Sequence, residues 1–196
     1  MAETDYAINA GYYNAGSNII QDWISDRVYL VAGFTTNVGL AQFQCNQANG
    51  ATISSAVFSS LATANGVPIT IYGVKQANTA WPETAAFAAA LPLTTASVSY
   101  TSNSGIDTVS VASIIQEIVN QGGWVAGNDL MLVFKTTSTT LQQSWDSNGA
   151  DSIITHRPTL TIGGGGSGGS GGSGGQKGPN ATTLLLQLMR QRTYGF

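Results

Sequence analysis

The chain has 196 residues, and its seven basic and ten acidic side chains make up only 9% of them, against roughly 25% in an ordinary globular protein. Such sparse charge excludes a coil that charge repulsion keeps extended. The 42% hydrophobic content can supply one core, and no run reaches the roughly 18 apolar residues of a membrane span. One cysteine, Cys45, excludes an internal disulfide, and one histidine, His156, leaves no pair for a His-based metal site. The opening residues are neither basic nor apolar, so we expect no signal peptide.

The dominant pattern of the first 162 residues is an alternation with a period of two, which is typical of strands packed against a core. Between Ile53 and Leu61, for example, apolar side chains stand between serines. Similar runs, separated by turns rich in Gly, Asn and Ser, predict about eight strands, at 27–32, 40–45, 52–62, 67–74, 96–101, 130–136, 140–145 and 159–162. We therefore predict an all-β fold, an antiparallel β-sandwich or jelly roll.

One segment follows a helical period instead. Apolar residues after Ser110 recur at spacings of three and four, at Val111, Ile114, Ile115, Ile118 and Val119. With Ser110 as N-cap and Gly122-Gly123 as the stop, this stripe predicts one short helix at about 111–121, covering an open end of the sandwich. A weaker helical turn is predicted at 83–90.

Residues 163–175 read GGGGSGGSGGSGG, a run in which no side chain can pack. This is the composition of an engineered flexible linker, and by random-coil scaling it spans about 20 Å. It divides the chain into a β-sandwich domain at 1–162 and a fused, partner-derived peptide at 176–196. The domain holds ten acidic and four basic residues, a net charge of −6, whereas the peptide holds three basic residues and no acid, a net charge of +3. The two parts therefore attract each other, in a modest and salt-sensitive way.

The peptide is too short for a core of its own, so we expect it to bind a protein surface. From Thr182 onward it consists of good helix formers with arginines near the end, which favours a helix with one apolar face, formed by Leu184, Leu185, Leu188 and Met189. The alternative is a strand added to an exposed sheet edge. It would place on one side Leu184, Leu186, Leu188, Tyr194 and Phe196. The residues predicted to make the contact are Leu184, Leu185, Leu186, Leu188, Met189, Arg190, Arg192, Tyr194 and Phe196.

Several segments resemble one known family when they are taken in order. They are 50–56, 110–120, 123–128, 144–147 and the closing Arg-Pro-Thr-Leu-Thr-Ile at 157–162. Together they are similar to the disaggregatase-related (DNRLRE-type) β-sandwich domains. The resemblance implies a non-catalytic module of the kind found on extracellular surface proteins, polysaccharide-active enzymes and some phage virion proteins. The chain departs from the family at Trp145-Asp146, where an Arg-Glu pair often precedes the last strand.

No catalytic arrangement is visible in the sequence. Glycoside hydrolysis needs two carboxyl groups across a cleft, and acyl transfer needs a nucleophile with an oriented base. We therefore predict that the chain is not an enzyme and carries no cofactor. A structural calcium ion could be bound by oxygen ligands from one of two pairs, Asn128 with Asp129 or Asp146 with Asp151. The alternative is that these residues only form turns. Four basic residues in the domain are too few for a phosphate track, so we expect neither a nucleic-acid nor a membrane partner.

Aromatic side chains offer a second candidate binding surface, because flat rings stack on sugar faces. Trp124 follows the predicted helix directly and is expected to anchor it as part of the core. Tyr12, Tyr13 and Trp81 fall in segments predicted to be irregular, and they are the candidates for an exposed carbohydrate platform. Cys45 is expected to be a small buried hydrophobe.

These observations predict a non-catalytic structural and interaction domain of a bacteriophage virion, such as a capsid decoration, head-fibre or tail component. It would dock a hydrophobic, basic peptide of a partner virion protein, supplied here in cis, with homo-oligomers or exchange of the peptide between copies as further arrangements. Assembly would take place in the host cytoplasm. One alternative is a carbohydrate-binding module of an extracellular or cell-surface protein or polysaccharide-active enzyme, and another is an engineered scaffold with the peptide as cargo.

Overall fold

The computed structural model describes residues 2–14, 19–22, 27–31, 37–62, 65–82, 84–137, 142–146 and 158–164. These residues form twelve strands and two helices. The elements are β1 (Ala2–Tyr6), β2 (Asn9–Asn14), β3 (Ile19–Asp22), β4 (Arg27–Val31), β5 (Asn37–Cys45), β6 (Ile53–Ala62), β7 (Pro68–Val74), α1 (Ala85–Ala89), β8 (Leu93–Thr101), β9 (Gly105–Ser110), α2 (Ala112–Val119), β10 (Asn128–Thr136), β11 (Gln142–Asp146) and β12 (Thr159–Gly164).

Two antiparallel sheets make up the molecule, which confirms the predicted all-β sandwich with one short helix. The four-stranded sheet has the order β1-β12-β6-β9, and the six-stranded sheet has the order β3-β2-β5-β10-β7-β8. A separate pair, β4 with β11, links them, since β11 contacts β6 and β4 contacts β2 and β5. Each predicted strand has a counterpart, although residues 140 and 141 lie outside the described part of the chain.

Three phenylalanines join the two sheets at the centre of the core. Phe58 comes from the four-stranded sheet, and its ring centroid lies 6.3 Å from that of Phe43 and 4.9 Å from that of Phe134, both in the six-stranded sheet. All three side chains are fully buried. The burial of each ring contributes about 2–3 kcal/mol to the stability of the fold, because it removes apolar surface from water. The three rings therefore contribute strongly to the packing of one sheet on the other.

The longer helix, α2, packs against strands of both sheets. It contacts β6 of the four-stranded sheet and β7 and β8 of the six-stranded sheet. Its apolar stripe is buried as predicted, at Ile114, Ile115, Ile118 and Val119. The expectation that Ser110 is its N-cap is wrong: Ser110 is the last residue of β9 and pairs with Val57. Because Val111 still donates its N–H to Ala56 O at 2.8 Å, strand pairing delays the helix by one residue.

Side chains of the neighbouring segment cap the end of α2. The amide of Asn49 donates to the carbonyls of Val119 at 3.0 Å and Gln121 at 2.9 Å. The N–H of Gly50 also donates to Val119 O at 3.2 Å. These donors satisfy the carbonyl of Val119, the last residue of the helix, and that of Gln121 just beyond it, so the helix ends two residues before the predicted end at 121.

Glu117 fastens α2 to the edge strand β8. Its carboxylate accepts the N–H of Thr95 at 3.0 Å and that of Ala96 at 2.8 Å, and Lys75 Nζ lies 3.3 Å away. Burial opposes the ionisation of Glu117, but these donors outweigh it and hold the pKa of the carboxyl below its ordinary value. The same contact occupies two backbone donors of an edge strand, which protects that edge from pairing with another chain.

The connection between β7 and β8 covers part of the outer face of the six-stranded sheet. It contains α1, where Thr84 Oγ1 accepts the N–H of Phe87 at 3.2 Å, in agreement with the weaker helical turn predicted there. A second apolar cluster lies beneath it and comprises Val38, Leu40, Val74, Ala88, Leu91, Met131 and Val133. This connection therefore hides a face that would otherwise be exposed.

Replacing Gly73 by alanine tests the packing of α2 on β7. A Cβ at Gly73 would lie 2.6 Å from Ile118 Cδ1 and 2.7 Å from Ile114 Cγ2, and both isoleucines are fully buried. We expect Gly73→Ala to lower the free energy of unfolding by about 1–3 kcal/mol in a urea titration, because the core would be overpacked. The control is Gly122→Ala, whose Cβ would meet nothing within 4 Å. Equal effects of the two variants would contradict this account of the contact.

Candidate functional site

The outer face of the four-stranded sheet carries no charged side chain among the described residues. Its rows follow the strand register across the sheet, Tyr6 to Thr159 to Ser59 to Thr108 and Thr4 to Thr161 to Val57 to Ser110. We call it the uncharged face, and its residues are Ala2, Thr4, Tyr6, Ser55, Val57, Ser59, Leu61, Ile106, Thr108, Ser110, Thr159 and Thr161.

Hydroxyl and apolar groups share the uncharged face. Three large apolar side chains are well exposed on it, Tyr6 at 45%, Val57 at 36% and Ile106 at 56%. Thr4 and Thr161 lie side by side, with their hydroxyl oxygens 2.9 Å apart in a hydrogen bond. Charged side chains usually protect an exposed sheet from association, so a face without them is suited to contact with another protein surface.

Two of the three residues of the predicted carbohydrate platform belong to the six-stranded sheet. Tyr12 and Tyr13 lie in β2, not in an irregular segment as expected, and they pair with Gly39 and Val38. Alternation is obscured in β2 because Asn and Gly, which are typical of turns, surround the tyrosines. Trp81 is half-buried and packs against the apolar cluster under α1, which includes Val38. The helix α1, which follows Trp81 along the chain, contacts β2, and the structure describes only the backbone of Tyr12 and Tyr13 in that strand.

Two further aromatic residues near this surface were not predicted from the sequence. The first is Phe87 on α1, which is 49% exposed. The second is the half-buried Tyr72, whose ring centroid lies 5.5 Å from Lys135 Nζ. Tyr72 packs against the same cluster as Trp81. The sequence offered a signal only for Phe87, since it stands among alanines in the weak helical segment.

An acidic pair lies on β1 at the edge of the four-stranded sheet. Glu3 Oε1 accepts hydrogen bonds from the backbone N–H of Asn46 at 3.3 Å and from the Asn46 side-chain amide, and its Oε2 accepts one from Gln47 Nε2 at 3.1 Å. Burial, followed by the charge of Glu3, raises the pKa of Asp5 to about 7. The spacing of two residues between Glu3 and Asp5 in an alternating run was the sequence signal for this pair. Cys45, nearby, is fully buried, and burial raises the pKa of its thiol to about 11.

Asp107 and Ser60 form a second cluster of polar side chains, separate from Glu3 and Asp5, and both are buried. Asp107 is 5% exposed and its Oδ1 accepts the N–H of Asn103 at 3.0 Å. Ser60, which is 2% exposed, stands opposite it in the β6–β9 register. Burial, followed by the charge of Asp107, raises the pKa of the Tyr100 phenol. Among the described residues, neither the Tyr100 hydroxyl nor Asp107 Oδ2 has a hydrogen-bond partner.

The first pair considered as calcium ligands, Asn128 and Asp129, forms hydrogen bonds to other residues of the fold. Asn128 Nδ2 donates to Ala77 O at 2.7 Å, and Asp129 Oδ2 accepts from Gln42 Nε2 at 3.2 Å. Burial raises the pKa of Asp129. Within the described ranges, no three His, Cys, Asp or Glu side chains cluster as metal ligands would. The second pair is described only as far as the backbone of Asp146 in β11, and Asp151 lies outside the described residues.

The remaining predicted residues divide between the core and the part of the chain that is not described. Trp124 is buried, as predicted, and its Nε1 donates to Gln47 O at 2.8 Å. His156 lies outside the described residues. So do all the residues predicted to form the peptide contact, namely Leu184, Leu185, Leu186, Leu188, Met189, Arg190, Arg192, Tyr194 and Phe196.

The last strand shows where the chain leaves the domain. β12 continues through Gly163 and Gly164, which belong to the run of glycines and serines, and Gly163 pairs with Ala2 on one side and Ser55 on the other. Ser54 Oγ donates to Gly163 O at 3.0 Å. The exit point therefore lies inside the four-stranded sheet, between β1 and β6.

No protein-family model matches the chain, and no curated protein is similar to it in sequence. In the part of the chain that the structure describes, no helix is both long enough and apolar enough to cross a bilayer.

Replacing Asp5 by asparagine tests the acidic pair. Because the pKa of Asp5 is about 7 in the folded protein and 3.8 ordinarily, the folded state binds this proton more tightly, and stability falls as the pH rises from about 4 through 7. Asp5→Asn removes that ionisation. We expect the variant to match the parent at pH 4 and to be about 1 kcal/mol more stable at pH 8, after allowing for solvent screening. Chemical denaturation at both pH values measures this difference.

The control for Asp5→Asn is Glu117→Gln, for which the sign is opposite. The lowered pKa of Glu117 stabilises the fold above the ordinary pKa of 4.5, and this contribution is lost as the pH falls through the lowered value. Glu117→Gln should therefore destabilise the protein at pH 8, by an amount that shrinks on acidification. A loss of stability in Asp5→Asn at pH 8 would contradict the burial of Asp5 described above.

Proposed function

We propose that residues 1–162 form a non-catalytic structural and interaction domain that docks the peptide 176–196 of a partner protein, joined to it by the linker 163–175. The observation that carries this proposal is the run of glycines and serines itself, since beyond Gly163 and Gly164, which end β12, it offers no apolar side chain for a core. Tethering raises the local concentration of the peptide to around millimolar, so that even a weak site would be largely filled.

Two features of the domain support docking in cis. The chain leaves from Gly164 at the end of β12, an interior strand of the four-stranded sheet, and from there residues 165–175 span roughly 20 Å as a random coil. The domain carries a net charge of −6 and the peptide +3, which favours their encounter. The same reach also allows the peptide of one copy to bind the domain of another.

The biological setting that we propose is a bacteriophage virion, assembled in the host cytoplasm. The domain would be a capsid decoration, head-fibre or tail component, and the peptide would come from the virion protein that anchors it. The support is the similarity of the segments from 50 to 162 to DNRLRE-type sandwich domains. The two-sheet architecture agrees with such a module.

Removing residues 176–196 tests the docking. A bound tether at about 100 times its dissociation constant contributes about 2.7 kcal/mol, so the deletion should lower Tm by about 5–10 °C. Adding the free peptide at millimolar concentration should restore Tm, and a control peptide with its leucines replaced by serine should not. An unchanged Tm after deletion, with no response to the free peptide, would overturn the proposed function.

A carbohydrate-binding module is the second candidate. The observation that favours it is the meeting of Trp81, Phe87 and the strand of Tyr12 and Tyr13 on one side of the six-stranded sheet, since α1 contacts β2. Aromatic rings beside a shallow surface are suited to stacking on sugars.

A glycan-binding screen followed by Trp81→Ala tests this candidate. If the platform binds sugar, the affinity for the best glycan should fall at least tenfold in the variant, because the stacking surface is lost. The matched control is Val57→Ala on the opposite sheet, which should bind as the parent does. The absence of any bound glycan in the screen, or equal binding by Trp81→Ala and the parent, would rule out the platform.

A further inference from the structure

We infer that the uncharged face of the four-stranded sheet is the surface that receives the peptide, with residues 182–192 lying on it as a helix. This inference rests on the proposed function, because it names the site at which the docking takes place. It commits to the apolar side of that helix, formed by Leu184, Leu185, Leu188 and Met189, as the side that contacts the sheet.

Desolvation favours docking on this face. Covering it removes Tyr6, Val57 and Ile106 from water and strips no charged group of its hydration, so the apolar gain is not offset by the cost of burying an ion. The hydroxyls of Thr4 and Thr161 already bond to each other and keep a partner when they are covered. Part of the corresponding face of the six-stranded sheet is already occupied by α1 and its flanking residues.

The exit point of the chain puts this face within easy reach. Gly163 and Gly164 form the end of β12, which is an interior strand of this sheet. Four strands are about 15 Å wide, and six residues of strand are about 20 Å long. The roughly 20 Å span of residues 165–175 therefore delivers Thr182 to any point on the face without stretching.

The edge at the start of β8 is less suitable than the face. Strand addition needs unpaired backbone donors and acceptors along an edge. At the start of β8, the N–H groups of Thr95 and Ala96 are bonded to Glu117. A helix from 182 to 192 would be about 16 Å long, which fits within the length of the strands.

Amide hydrogen exchange of Leu184 to Met189 in the full chain tests the inference. In the parent, these amides should exchange at least tenfold more slowly than in the free peptide. Val57→Lys places a charge in the centre of the uncharged face and should return their exchange to the rate of the free peptide. The matched control is Ser97→Lys, since Ser97 is also exposed on a strand but belongs to the other sheet, and it should leave the protection unchanged.

Each alternative result has a distinct meaning. Free-peptide exchange in the parent would overturn the proposed function and this inference together. Protection that survives in Val57→Lys would leave the docking intact but overturn its assignment to this face. A dimer in light scattering that Val57→Lys dissociates, with the exchange of the leucines unchanged, would assign the face to a second copy and also overturn the inference. Loss of protection in Val57→Lys counts in favour only if the variant without residues 176–196 melts within about 2 °C of its own parent.

Discussion

The packing of Phe58 against Phe43 and Phe134 is the contact on which the rest of the structure depends. It joins the two sheets at their centre, and the strands on either side continue the same buried layer with Leu, Ile, Val and Ala. Since one face of each sheet is committed to this core, only the two outer faces remain for other contacts. The connection with α1 occupies part of one of them, whereas the uncharged face exposes Tyr6, Val57 and Ile106.

Helix α2 extends the core and also protects the sheet edges. Its isoleucines pack so closely on β7 that only glycine fits at position 73, and Glu117 uses its carboxylate to occupy two edge donors of β8. Asn49 and Gln116 tie the helix to β6 and to the segment before it: Gln116 donates to Ala51 O at 2.9 Å and accepts the N–H of Ile53, the first residue of β6, at 2.8 Å. One short helix therefore fixes the relative position of β6, β7 and β8, and with them the shape of the sandwich.

Strands with a clear apolar alternation, such as β6, could be predicted from the sequence, whereas β1, β2, β3 and β9 could not. β2 contains Asn and Gly, and β9 begins in what reads as a turn, so their local preference is for irregular structure. They become strands because a neighbouring strand offers them a full set of backbone partners. For the same reason Ser110 ends a strand, although its type and position are those of a helix N-cap.

The sequence by itself determined the fold class and the buried stripe of α2, because periodicity is a local property. Only the tertiary structure decided which surfaces are open. The serines and threonines of β6, β9, β12 and β1 are scattered along the chain, and strand pairing brings them together into one face without charge. The raised pKa of Asp5 also depends on tertiary structure, because its first cause is burial. The hydrogen bonds of the neighbouring Glu3 to Asn46 and Gln47 likewise join residues that are distant in the sequence.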